Sequence, residues 1–198
     1  QASSYVVHPG WNATGNDEND IALWFLPAPI GEDEHFKFAT LNEDHNVPAD
    51  DEELFVSGWG GTVEGVYSPS PILLGTNVDY VTNEQCQSDY DAKENPPNAI
   101  TDDMMCAARY GTDTCQGDSG GPLMIANGTD PAMNPPIQVG IVSWGVGCAN
   151  PNFPGIYTRV SSYIDWIHST ACQEVGELCP SSSKSGKGKS KASKNDSP

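Results

Sequence analysis

Apolar residues gather in short runs along this chain, separated by glycine, proline and acidic stretches. Ser4 to His8 is a β-rich run that ends at His8-Pro9-Gly10. Asp20-Ile21-Ala22-Leu23-Trp24-Phe25-Leu26 reads as a continuous apolar strand, stopped by Pro27 and Pro29 because proline cannot donate to a strand ladder. Residues 31–53 are polar and acidic, with Glu32-Asp33-Glu34 and Asp50-Asp51-Glu52-Glu53, and read as a loop or inter-domain connection. Strand-length segments return at Leu54-Phe55-Val56, Ile72-Leu73-Leu74, Pro122-Leu123-Met124-Ile125 and Ile137-Gln138-Val139-Gly140-Ile141-Val142. Turn residues divide them: Gly58, Gly60, Gly61, Asn127-Gly128 and Pro135-Pro136. Such spacing predicts a sandwich or barrel. One helix is predicted late in the chain. Tyr163, Ile164, Trp166 and Ile167 make an apolar face, and Ser162 with Asp165 makes an N-terminal cap pair. After Cys179-Pro180 the chain turns to Ser, Lys and Gly, which cannot bury apolar surface; residues 181–198 are expected to be a disordered tail.

Composition sharpens this picture. Hydrophobic residues make up 37% of the 198, with 20 Gly and 16 Pro, which suits a loop-rich all-β fold. The net charge is −18, but five of the nine basic residues (Lys184, Lys187, Lys189, Lys191, Lys194) lie in the tail. The strongly acidic body should repel nucleic acid and anionic membranes, so no nucleic-acid partner is expected. No apolar run is long enough to span a bilayer. Six cysteines and two sequons, Asn12-Ala13-Thr14 and Asn127-Gly128-Thr129, favour a secreted, oxidised glycoprotein. The cysteines contain no C-x-x-C pair, so neither a metal site nor any other cofactor is expected.

The candidate chemistry centres on Asp113-Thr114-Cys115-Gln116-Gly117-Asp118-Ser119-Gly120-Gly121-Pro122. A serine hydroxyl becomes a nucleophile only when a base takes its proton and donors hold the resulting oxyanion. Glycines on both sides let the backbone turn tightly and let a carbonyl approach the amides of Gly117 and Ser119. The strand–turn–helix serine motif of the α/β-hydrolases does not fit, because Gly120-Gly121-Pro122 followed by an apolar strand forbids the helix.

This block, with Ser143-Trp144-Gly145, Cys148 and Pro154-Gly155-Ile156-Tyr157 downstream, resembles the chymotrypsin/trypsin-like serine proteases from about Tyr5 to about Ile167. The resemblance implies a double antiparallel β-barrel with a short C-terminal helix. Ser119 matches the nucleophile, and Gly117 and Ser119 the oxyanion-hole amides. Asp118 matches the acid that receives the new α-amino group on activation. Asp20, in Asn19-Asp20-Ile21-Ala22-Leu23, matches the acid of the triad. Asp113 matches the floor of the specificity pocket and Gly145 and Gly155 its walls, while Ser143-Trp144-Gly145 matches the strand along which substrate backbone pairs. A carboxylate there selects Arg or Lys in protein or peptide substrates, and protein inhibitors are further implied partners. Cys115 with Cys148 and Cys86 with Cys106 match family disulfides; Cys172 and Cys179 are expected to pair with each other. Leu54 and Ile125 stand where many relatives have one more bridge, and an apolar contact is expected to replace it.

One part of the pattern is missing. The family order is His, Asp, Ser, yet only 19 residues precede Asp20, and His8 lies in a Val-His-Pro stretch that resembles a non-catalytic family segment. His35, His45 and His168 read as surface histidines. The expectation is therefore an N-terminally truncated domain: residues 1–50 closing an incomplete first barrel plus the acidic connection, and residues 51–180 forming the second barrel with its helix. Such a chain, lacking the base, should not turn over peptides. The alternative is a protease-like module that binds basic peptides without cutting them.

Overall fold

The computed structural model describes residues 2–33, 37–66, 68–92, 100–126, 134–150 and 152–176. The tail, Cys179, His35 and the sequon at Asn127 lie outside the described residues. Strands β1 (Ser4–Val7) and β2 (Ala22–Phe25) pair antiparallel as a separate two-stranded sheet. Seven more strands follow: β3 (Thr40–Leu41), β4 (Glu53–Gly58), β5 (Leu74–Val81), β6 (Met104–Ala108), β7 (Pro122–Ile125), β8 (Ile137–Trp144) and β9 (Gly155–Arg159). Their order is β3-β8-β7-β4-β5-β6-β9, and β8 also pairs with β9. That last pairing closes β4 to β9 into a six-stranded barrel, which leaves none of these six strands at a free edge. The fold is mostly β, as the runs predicted.

The barrel forms because its strands aim apolar side chains at one interior. Leu54 and Val56 of β4 are buried, while Glu53 and Phe55, which alternate with them, are exposed. Val78 and Tyr80 of β5 alternate inward in the same way. They meet Met105, Leu123, Val139 and Tyr157 in a single cluster. Each such side chain contributes about 1.5–3 kcal/mol on full burial. Leu54 is in this cluster and Ile125 packs against it, so an apolar neighbourhood does stand where relatives carry a bridge. A second cluster, Cys86, Tyr90, Met104, Cys106 and Ile156, seats helix α1 (Asn83–Asp91) on the barrel wall.

Four expectations are corrected. Ile72 and Leu73 are not in a strand but exposed in the turn before β5, where the Ile72 N–H donates to Ser70 Oγ. The acidic connection is not wholly loop, since Thr40–Leu41 adds β3 in parallel to β8. A second helix, α1, stands beside the predicted one. The Ser162–Asp165 cap is not made: a 3-10 turn, Val160–Tyr163, feeds directly into helix α2 (Ile164–Val175), which has no side-chain cap. Ser162 Oγ is instead turned toward the Asp102 carbonyl, 3.5 Å away. Among the described residues no helix is long and apolar enough to cross a membrane.

Candidate active site

The turn that carries Ser119 lies between β6 and β7 and is held from below. The Asp118 N–H donates to the Cys115 carbonyl (3.0 Å) and the Gly121 N–H to the Asp118 carbonyl (2.8 Å). Gly120 N–H donates to the Val142 carbonyl (2.8 Å), and Val142 N–H to the Gly121 carbonyl (2.9 Å), so β8 clamps the turn. Gly117 has φ +101°, and a Cβ there would stand 3.2 Å from the Gly60 Cα. Only glycine fits that position. Ser119 is exposed, and its hydroxyl makes no hydrogen bond among the described residues.

The orientation of the turn follows from three hydrogen bonds. Asp118 Oδ1 accepts from the Gly60 N–H (2.8 Å) and Oδ2 from the Cys115 N–H (2.9 Å). The Gln116 carbonyl accepts from the Gly61 N–H at 2.9 Å. In a trans peptide the N–H points opposite to the C=O, so the Gly117 N–H faces away from Gly61. Neither the Gly117 nor the Ser119 N–H has a protein acceptor among the described residues. Two donors flanking one hydroxyl are thus left for an incoming oxygen.

Ser119 sits where two cavities meet. The first, about 130 Å³, is lined by Asp113, Ser119, Ser143, Trp144, Gly145 and Gly155. Asp113 and Ser119 therefore share one slot. Asp113 is fixed by the Thr114 N–H on Oδ1 (2.7 Å) and the Ala149 N–H on Oδ2 (2.8 Å). Burial pushes its carboxyl above the ordinary range, against the pull of those two N–H donors. A Cβ on Gly155 would stand 3.1 Å from Asp113 Oδ1, so a larger residue there would crowd the slot. The disulfide Cys115–Cys148 ties the two loops around it.

The second cavity, about 660 Å³ and largely apolar, is lined by Asp20, Ser119, Trp11, Trp24, Leu41 and Val142 among others. Asp20 Oδ2 accepts from Ser143 Oγ at 2.6 Å, and its backbone carbonyl accepts from Thr158 Oγ1 at 2.6 Å. Asp20 thus links the hairpin to the barrel beside Ser119. Among the described residues no histidine lines either cavity. His8 packs edge-on against Tyr163 and Trp166, and its Nδ1 accepts from the Gly10 N–H at 3.2 Å. His45 lies 3.5 Å from Ser161 Oγ, and His168 is in α2.

Ser119, Asp113, Ser143, Trp144, Gly145, Gly155 and Asp20 line these two cavities and Gly117 lies in the same turn, with Asp118 beneath the turn rather than in the slot. Cys86–Cys106 is formed as expected, and the Cys172–Cys179 pairing lies outside the described residues. Sequence reasoning missed Thr158 and Ala149. Both act through hydrogen bonds to an acid far away in the chain, and no spacing announces such a bond.

Comparison with known proteins agrees. The family model described as Trypsin matches residues 1–167. A tryptase of Mus musculus is 37% identical over 170 residues, covering 84% of this chain and 60% of its own. A trypsin of Phaedon cochleariae is 39% identical, covering 83% and 58%. The solved structure of neuropsin, a serine protease expressed in the limbic system of mouse brain, superposes with a TM-score of 0.71 at 30% identity, covering 86% of this chain and 70% of that one. The chain thus spans about three-fifths of the length of the curated relatives it matches.

Proposed function

The chain belongs to the trypsin family of serine proteases, and from that premise we propose that it carries most of the catalytic and specificity apparatus of a secreted endopeptidase cleaving after Arg or Lys. The observation that carries the reading is the single slot shared by Ser119 and Asp113, with Asp20 bonded to a residue of its wall. In this reading a basic side chain enters the slot and pairs with Asp113, which sets the next carbonyl against Ser119. The Gly117 and Ser119 amides take the oxyanion, each donor contributing about 3–4 kcal/mol to transition-state stabilisation. Asp20 orients a histidine that accepts the Ser119 proton and returns it to the leaving amine. In this reading none of the described histidines, His8, His45 and His168, is that base. Asp118 receives the activating α-amino group, for which its two backbone N–H contacts hold it in place.

The test is covalent. The 198-residue chain should hydrolyse an arginine ester no faster than its Ser119→Ala variant, because loss of the triad base removes about 10⁶ of kcat. The same chain extended upstream by its own coding sequence should react stoichiometrically with a serine-directed phosphonate at Ser119. A longer chain that binds arginine peptides but leaves Ser119 unlabelled would favour the second reading, a non-cutting module for basic peptides. That reading draws on one observation: among the described residues no histidine lines either cavity beside Ser119.

A further inference from the structure

Arg159 ends β9 with only 7% of its surface exposed. A guanidinium keeps its charge at any pH the fold survives, and a buried charge needs compensation. Here the compensation is entirely neutral. Arg159 Nε donates to the carbonyls of Asp102 and Met104, both at 3.2 Å. Nη2 donates to Tyr80 Oη (3.2 Å) and Asn83 Oδ1 (3.1 Å). The Tyr80 ring lies 5.8 Å from the guanidinium carbon. No carboxylate among the described residues is within ion-pairing distance of Arg159. Its remaining amino group, Nη1, has no hydrogen-bond partner among the described residues.

Arg159 also lines an open cavity of about 670 Å³, together with Asn83, Ser162 and His45. Two acids share the lining. The carboxylate of Asp103 is taken up by the hydroxyls of Thr101 and Tyr163 and by the Asn19 N–H. Asp102 turns its backbone carbonyl, not its carboxylate, to Arg159. Ser162 Oγ is held only by a 3.5 Å contact to that carbonyl, and His45 by a 3.5 Å contact to Ser161, so both are free to re-aim.

We propose that this cavity binds a small anion carrying a carboxylate or sulfate group, held by Arg159 Nη1 with the Ser162 hydroxyl and the His45 ring at its edge. A guanidinium edge with a hydroxyl beside it matches the geometry of such groups. The acidic body disfavours long polyanions, which restricts the ligand to a compact group. None of Ser119, Asp113 and Asp20 lines this cavity, so the site stands or falls independently of the proteolytic reading.

The experiment titrates the protein with sodium sulfate and, separately, sodium acetate at fixed ionic strength, following Tm. Sulfate also stabilises proteins by exclusion from their surface, so a Ser162→Asp variant, which supplies its own anion beside Arg159, is run in parallel. The expected result is a saturable rise in Tm for the wild type that is lost in Ser162→Asp, and whichever salt saturates at lower concentration identifies the preferred group. Equal responses in the two proteins would overturn the proposal. Should the variant fail to fold, calorimetric titration of the wild type decides: saturable heat supports the site, and its absence with both salts overturns it.

Discussion

Asp113 illustrates a carboxylate poised between two demands. Two N–H donors hold it, yet burial keeps its carboxyl above the usual value of 3.8. An empty slot with a raised carboxyl takes up its proton at a higher pH than an exposed aspartate would. Binding of an aryl amidine, which needs the ionised form, should therefore weaken on acidification while ordinary carboxylates are still charged. Asp113→Ser should cost about 3 kcal/mol of amidine affinity, on the order of 100-fold, and remove the pH dependence above 3.8. An unchanged affinity in the variant would show that the cation does not sit on Asp113. His8 titrates in the opposite sense. Burial lowers its pKa below 6.5, and the nearby Asp103 offsets this only in part. The folded state thus prefers neutral imidazole, so its contribution to stability is present above 6.5 and is lost as the pH falls through the lowered folded value. His8→Asn keeps an acceptor for the Gly10 N–H but not the titration. Melting curves should show the gap between wild type and this variant closing between neutral pH and pH about 5.

Helix α1 was hidden in the sequence because little of it is apolar. Its buried residues are Cys86 and Tyr90, one turn apart, in an otherwise polar segment. The signal that was there is Thr82, whose Oγ1 accepts from the Gln85 N–H at 3.2 Å. Thr82→Ala should cost about 1 kcal/mol, which lowers Tm by roughly 2–4 °C in a chain of this size. An unshifted Tm would mean that packing of Cys86 and Tyr90 alone fixes the helix start. Strands β6 and β9 escaped for a different reason. Every residue of β9 is buried, as are Met104 to Ala107 of β6, so the alternation that marks a half-exposed strand is absent. Strand β4 was legible because Leu54 and Val56 alternate with exposed neighbours. Strand β5 was misplaced onto Ile72 and Leu73: the loudest apolar pair lies in the turn, while Val78 and Tyr80 carry the true period of two.

The assembled molecule explains why the site was easier to read than the architecture. Ser119, Asp118 and Asp113 lie within seven residues of each other, so one loop carries most of the chemistry and a short motif suffices to find it. Asp20 is more than ninety residues away, and only its bond to Ser143 shows how the hairpin reaches the barrel. The large apolar cavity between hairpin and barrel had no counterpart in any local pattern, because its walls come from β2, β3, β8 and α2 together. The two hydrogen bonds between the Ser119 turn and Val142 carry a further consequence. The reactive loop cannot loosen without peeling away the strand that forms the slot wall. In deuterium-exchange measurements the amides of Gly120 and Val142 should gain label at a common rate, and an amidine seated on Asp113 should slow both together. Unequal rates would mean that nucleophile and slot breathe separately; a shared rate would make occupancy of the slot audible at the hydroxyl before any bond is cut.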